Sequence, residues 1–145
     1  MDPDAQVAAL PIRRNSDGTC SVLLVTSRET RRWVIPKGWC QPQSEDHAAA
    51  AQEALEEAGV LGEAYAESVG TYVYQKRRPQ GATAVRVTIY LLAVTEELVD
   101  WPERQQRERA WFTPAEAADK VDEPELRDLL RQASWGRIDL SRTQR

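Results

Sequence analysis

The chain has 145 residues, 41% of them hydrophobic and 29% charged, and a net charge of −4. That length suits one domain that buries its own core, and the slightly acidic balance argues against a general nucleic-acid binder, which would carry a basic excess. Only two cysteines, Cys20 and Cys40, and no leader-like or long apolar run set the expectation of a cytoplasmic protein with neither a membrane span nor a structural disulfide.

In chain order, residues 5–13 and 21–27 read as strands joined by the turn Asn15-Ser-Asp-Gly18, a hairpin signal. Residues 33–35 form a short apolar strand closing on Pro36 and Gly38. An alanine-rich helix follows, with Ser44 as its N-cap, Glu45 and Asp46 facing the positive end of its dipole, and Gly59 where a left-handed C-cap belongs. Residues 66–76 and 84–96 are two long strand candidates, separated by residues 77–81, read as a mobile loop over the site. Residues 110–112 make a last short strand. Thr113-Pro-Ala-Glu116 has the N-cap, proline and acidic pattern of a helix start, residues 124–133 begin another helix, and 134–145 are expected to fray. Mixed strands with two or three helices predict an α+β architecture, an α/β/α sandwich. One domain then spans 1–145, with its core over 5–133.

The acidic helix carries the chemistry. Glu53, Glu56 and Glu57 lie at offsets of three and four residues, inside an arc about 100° wide at about 100° per residue. Ala48, Ala51, Leu55 and Ala58 are expected to form the apolar stripe on the opposite side. Like charges at these offsets cost roughly 0.2–0.5 kcal/mol per pair, a penalty that a bound divalent cation reverses. Carboxylate oxygens in that number suit hard ions, Mg²⁺ or Mn²⁺. The plainer alternative is a solvated acidic face, but the order of short strand, loop, acidic helix and glycine is specific. His47 lacks the companions of a zinc site and is expected to face solvent. Arg13, Arg14, Arg28, Arg31, Arg32 and Lys37 precede the helix, and Lys76, Arg77, Arg78 and Arg86 follow it, a distribution that suits a polyanion bound through metal.

From Gly38 to Val60 the chain resembles the Nudix hydrolase box, Gly-x5-Glu-x7-Arg-Glu-U-x-Glu-Glu-x-Gly-U, with U a bulky aliphatic residue. Glu53, Glu56, Glu57, Gly38, Gly59 and Val60 match it, whereas Ser44 replaces the loop Glu, Gln52 the Arg, and Ala54 the first aliphatic residue. Loss of both members of that Glu–Arg pair removes a brace without stranding a charge. The resemblance covers roughly residues 6–121 and points to the diphosphoinositol polyphosphate phosphohydrolases. Their polyphosphate-binding basic residues fall here on Arg28, Arg86, Arg107 and Arg109. Pro36-Lys37-Gly38 is instead similar to the Pro-Lys-Gly of Nudix diadenosine tetraphosphate hydrolases.

The resemblance implies a Nudix fold with a mixed central sheet between helices, and metal-assisted hydrolysis of a phosphoanhydride. Glu53 and Glu57 are implied as metal ligands, with Glu56 a ligand or the general base and the Gly38 carbonyl completing the shell. Lys37 is expected to reach a phosphate. The implied substrate is a diphosphoinositol polyphosphate or a diadenosine polyphosphate, for which Trp39, Tyr72 and Tyr74 are stacking candidates, the two tyrosines being more often packing residues at strand spacing. The competing expectations are a sensor that binds phosphorylated ligands without cleaving them, and a hydrolase of nucleoside diphosphate derivatives. No nucleic-acid polymer or membrane partner is expected, and the protein is read as a monomer or homodimer.

Overall fold

The computed structural model describes residues 4–132. The predicted tail at 134–145, and the last residue of the final predicted helix, lie outside the described residues. Strand β1 (Asp4–Arg14) runs through the middle of the sheet and is buried from Gln6 to Ile12, as a strand with both faces covered must be. The chain then reverses at Asn15–Gly18 as the sequence predicts. Gly18 takes φ = 89°, and its N–H donates to the Asn15 carbonyl at 3.0 Å. Asp17 accepts from both the N–H and the hydroxyl of Thr19, so β2 (Cys20–Thr26) returns antiparallel to β1.

The remaining elements are β3 (Trp33–Val34), β4 (Lys37–Trp39), α1 (Asp46–Ala58), β5 (Val60–Arg78), β6 (Gly81–Glu97), β7 (Arg109–Phe112), α2 (Pro114–Lys120) and α3 (Pro124–Gln132). The sheet order is β3-β2-β1-β6-β5, with β4 added to β1 and β7 to β2. Only the β1–β6 pair among these ladders is parallel, so the sheet is mixed. Alternation along β1 divides the core. Leu10 and Ile12 join Tyr72, Val87, Ile89, Leu126 and Leu130 beneath α2 and α3. Val7 and Ala9 join Leu23, Val25 and Leu92 beneath α1. The α/β/α layering expected from the sequence is therefore present, and no described helix is long and apolar enough to cross a membrane.

Several local expectations are corrected. The supposed strand at 66–76 begins at Val60, directly after α1, because register shifts near Gly62, Ala64 and Gly70 let a glycine-interrupted segment stay on β6. Residues 77–81 are not a mobile loop. The ladder continues to the pair Arg78↔Gly81, leaving Pro79 and Gln80 as a tight turn. Lys37–Trp39, where the predicted strand was expected to have closed, pairs with Gln6–Ala8 as β4. Ser44 does not cap α1, since its N–H closes a turn onto the Gln41 carbonyl and Glu45 takes the N-cap position without a side-chain cap. The buried face of α1 is Ala49, Ala50, Ala54 and Ala58 with Glu57 among them, so the apolar stripe is rotated from Ala48, Ala51 and Leu55. His47 is partly buried, its ring 6.5 Å from that of Tyr90. Thr113 and Glu116 form the expected capping box, and both cysteines are free.

Gly59 ends α1 at φ = 68° and ψ = 35°, and a Cβ there would run into the Trp101 ring. Gly18 shares the left-handed conformation but would place a Cβ in open space. Gly59→Ala should therefore lower the unfolding free energy by about 2–4 kcal/mol and Gly18→Ala by only about 1–2 kcal/mol. Equal losses in urea unfolding would show that the Trp101 contact is irrelevant.

Candidate active site

The site is assembled at the C-terminal half of α1, where the helix faces β4. A cleft of about 560 Å³ opens there, lined by Lys37, Gly38, Trp39, Glu53, Glu57, Tyr74, Lys76, Arg77, Glu103 and Arg107, with Arg28 and Arg32 on its wall. Glu57 follows Glu53 at an offset of four, so both carboxylates point toward β4 on adjacent turns. Gly38 is the small residue that admits them, because a Cβ on it would meet the Glu53 carboxyl group. Glu57 accepts from the Lys37 backbone N–H at 3.3 Å.

The two carboxylates hydrogen-bond to each other, and burial pushes both above the usual carboxylate range. The Glu57 carboxyl is raised to about 8, burial outweighing the opposing Arg107 cation 3.6 Å away. Burial disfavours the charged forms of this adjacent pair, and a hard cation would favour them. That donor chemistry fits Mg²⁺ or Mn²⁺ held by Glu53 and Glu57. Glu53 and Glu57 line the cleft, while Glu56 lies outside its lining but close enough for its charge to raise the Glu53 carboxyl further. Glu56 lies about 100° around the helix from Glu57, and its carboxylate accepts from Gln52 Nε2 at 2.8 Å. No group of three His, Cys, Asp or Glu side chains among the described residues is arranged to hold a metal.

Glu103, which the sequence reading missed, supplies a further carboxylate to the cleft, whose lining also includes Glu29. It accepts from Arg107 Nε at 2.8 Å and lies 3.9 Å from Arg28 Nε. Arg107 also donates to the Thr26 carbonyl at 3.1 Å. Its side chain is 9% exposed, and it braces Glu57 and Glu103 together. Neither Ser44 nor Gln52 takes part in that brace: Ser44 is exposed, and Glu45 faces His47 at 3.7 Å.

The other predicted cations divide between cleft and scaffold. Arg28 donates to Gln106 Oε1 at 3.1 Å on the cleft wall. The Lys37 ammonium lies 4.9 Å over the Tyr74 ring, and burial lowers its pKa against the opposing charges of Glu57 and Glu123. Arg109 is elsewhere. Its guanidinium stacks 4.0 Å over Trp101 and donates to the carbonyls of Ala58, Gly59 and Leu98 at 2.9, 3.2 and 2.7 Å. Arg86 is exposed between Val85 and Val87 on β6 and does not line the cleft, because strand alternation turns it away from those core residues. Among the stacking candidates, Tyr72 is core, while Trp39 is 39% exposed beneath the Arg78 cation. The Tyr74 hydroxyl donates to Gln6 Oε1 at 2.8 Å.

Residues 4–133 match the NUDIX domain family. The chain belongs to the Nudix family. Members of that family generally use divalent metal ions. The Nudix chain is 34% identical to Nudix hydrolase 16, mitochondrial, of Arabidopsis thaliana, over 75% of its own length and 62% of that protein's. It is 38% identical to diphosphoinositol polyphosphate phosphohydrolase 2 of Rattus norvegicus, over 66% of its own length and 51% of that protein's. It thus spans about half to three-fifths of these curated relatives. Its fold is similar to that of a C. elegans Ap4A hydrolase, with TM-score 0.64 and 18% identity over 92% of this chain and 98% of the other. It is also similar to E. coli dihydroneopterin triphosphate pyrophosphohydrolase, with TM-score 0.69 and 15% identity over 88% and 92%.

Two outcomes follow for the metal-free protein. The Glu57 carboxyl has an ordinary value of 4.5 and a folded value of about 8. Its contribution to stability is therefore complete below the lower value and is lost as pH rises toward the upper one. Glu57→Gln should flatten that decline in urea unfolding between about pH 5 and about pH 8; an undiminished slope would place its origin elsewhere. Gly38→Ala should leave stability within about 1 kcal/mol while displacing Glu53, so Mn²⁺ binding measured by calorimetry should weaken at least severalfold. Unaltered Mn²⁺ affinity would remove Glu53 from the metal site.

Proposed function

We propose that this Nudix chain hydrolyses a phosphoanhydride bond in a highly phosphorylated small molecule, a diphosphoinositol polyphosphate or a diadenosine polyphosphate, with Mg²⁺ or Mn²⁺. The observation that carries the reading is the adjacent pair of half-buried Glu53 and buried Glu57 at the head of a cleft lined by Arg28, Arg32, Lys37, Lys76, Arg77 and Arg107. Those cations outnumber the two aromatic side chains of the cleft, Trp39 and Tyr74, each of which already lies under a cation. The balance favours a ligand recognised by its phosphates over one clamped by its bases.

Glu53 and Glu57 would hold the cation, with Gly38 keeping the space beside them open. When bound, the metal neutralises charge on the diphosphate and lowers the pKa of a bound water. Arg107 keeps Glu57 and Glu103 oriented, while Lys37 offers the substrate a mobile point charge. Glu103 is our candidate for the group that takes the proton of the attacking water, since its carboxylate lines the cleft and that of Glu56 does not. Glu56, read from the sequence as a metal ligand or the general base, is paired with Gln52 outside the cleft lining.

Product analysis with purified protein, with and without Mg²⁺, on a diphosphoinositol polyphosphate, a diadenosine polyphosphate and a nucleoside diphosphate derivative tests the proposal. Metal-dependent cleavage of one of the first two is expected, and binding without any product would favour the sensor. Glu57→Gln should abolish turnover. Glu103→Gln should lower kcat by about 10²–10⁴-fold and Glu56→Gln by less than about tenfold; the reverse order would return the base to Glu56.

A further inference from the structure

Arg32 lies in the segment between β2 and β3, at the cleft wall. Its Nη1 donates to Glu123 Oε2 at 3.0 Å and lies 3.4 Å from Asp122 Oδ2. Both partners come from the segment between α2 and α3, on the other side of the sheet from α1. Glu123 is 8% exposed, and its second oxygen, Oε1, is buried without a hydrogen-bond partner. A carboxylate in that position is costly unless cations balance it. Arg32 does so directly, and Lys37 lies close enough to feel both Glu123 and Glu57.

The arginines of the cleft differ in what they have left to offer. Arg107 spends its guanidinium on Glu103, Glu57 and the Thr26 carbonyl. Arg28 is directed at Gln106 and Glu103. Arg32 is anchored from behind through Nη1, and among the described residues no hydrogen bond uses its Nε or Nη2 edge. A planar fork fixed at one corner and open along another edge is the arrangement that receives a phosphate bidentately. Passing outward from the carboxylate pair, the charged side chains alternate as Glu57, Lys37, Glu123 and Arg32.

We infer that Arg32 binds a phosphate group of the substrate beyond the diphosphate to be cleaved, and that the buried Glu123 carboxylate is the positioning residue that aims its guanidinium into the cleft. This rests on the polyphosphate reading above. It makes Arg32 a determinant of how many phosphates a substrate must carry.

The test uses the full chain and two methylene-bridged, non-cleavable probes, the analogues of tripolyphosphate and of pyrophosphate, titrated by calorimetry with Mg²⁺ present. Wild-type protein should bind the triphosphate analogue more tightly. Arg32→Ala should weaken it about tenfold and leave the diphosphate analogue within about twofold. Arg32→Lys, which keeps the charge and loses the fork, should fall between. Glu123→Gln should reproduce part of the Arg32→Ala loss for the triphosphate analogue alone, which a general loss of packing would not do. Arg104→Ala, outside the cleft, should alter neither probe. If Arg32→Ala leaves the triphosphate affinity unchanged, or lowers both probes equally, the inference fails while the polyphosphate reading stands. If wild-type protein binds neither probe, both fail.

Discussion

The carbonyl end of α1 must find hydrogen-bond donors, and the way it does so holds the site together. An α-helix leaves its last four carbonyls without intrahelical partners. Here the Leu55 carbonyl accepts from the Gly59 N–H, that of Glu56 from the Glu103 N–H, that of Glu57 from the Trp101 indole, and that of Ala58 from Arg109. Three of those four donors belong to the stretch between β6 and the start of β7. Completing the helix therefore also brings Glu103 and Arg107 to the two glutamates. α1 has no basic residue in its last turn, and Arg109 supplies the positive charge that its dipole favours there.

The same stretch accounts for how the site tolerates its departures from the Nudix box. The family brace joins a loop Glu to a helix Arg, which in this chain are Ser44 and Gln52. Arg107, reaching from a different part of the chain, orients Glu57 and Glu103 instead. Arg107 acts from the C-terminal side of α1, and Gln52 is left to hold Glu56 on the solvent side. One consequence is an adjacent pair of carboxyls, Glu57 buried and Glu53 half-buried, whose charged forms burial disfavours and a bound cation would favour.

Much of the frame was legible in the residues because the governing physics is local. The Asn15–Gly18 turn, the Thr113 capping box and the Gly59 cap each depend on a few neighbouring residues whose backbone chemistry allows little else. The misread elements are the ones decided at a distance. β4 is three residues containing a glycine, and it is a strand because β1 offers it an edge. The first residues of β5 look irregular, yet β6 holds them through register shifts.

The sequence by itself determined a helix with three glutamates, its glycine cap, a mixed sheet between helices and a cation-rich surround, since spacing and residue type dictate periodicity and charge. Only the tertiary structure decided which glutamates meet. About 100° of helical rotation separates Glu56 from Glu57, and the packing of α1 on β4 selects Glu53 and Glu57 for the cleft. It also sent Arg109 to the helix carbonyls, left Arg86 outside, and set Arg32 against a buried Glu123. An arginine announces its charge in the sequence, but its partners are chosen by residues that lie far from it along the chain.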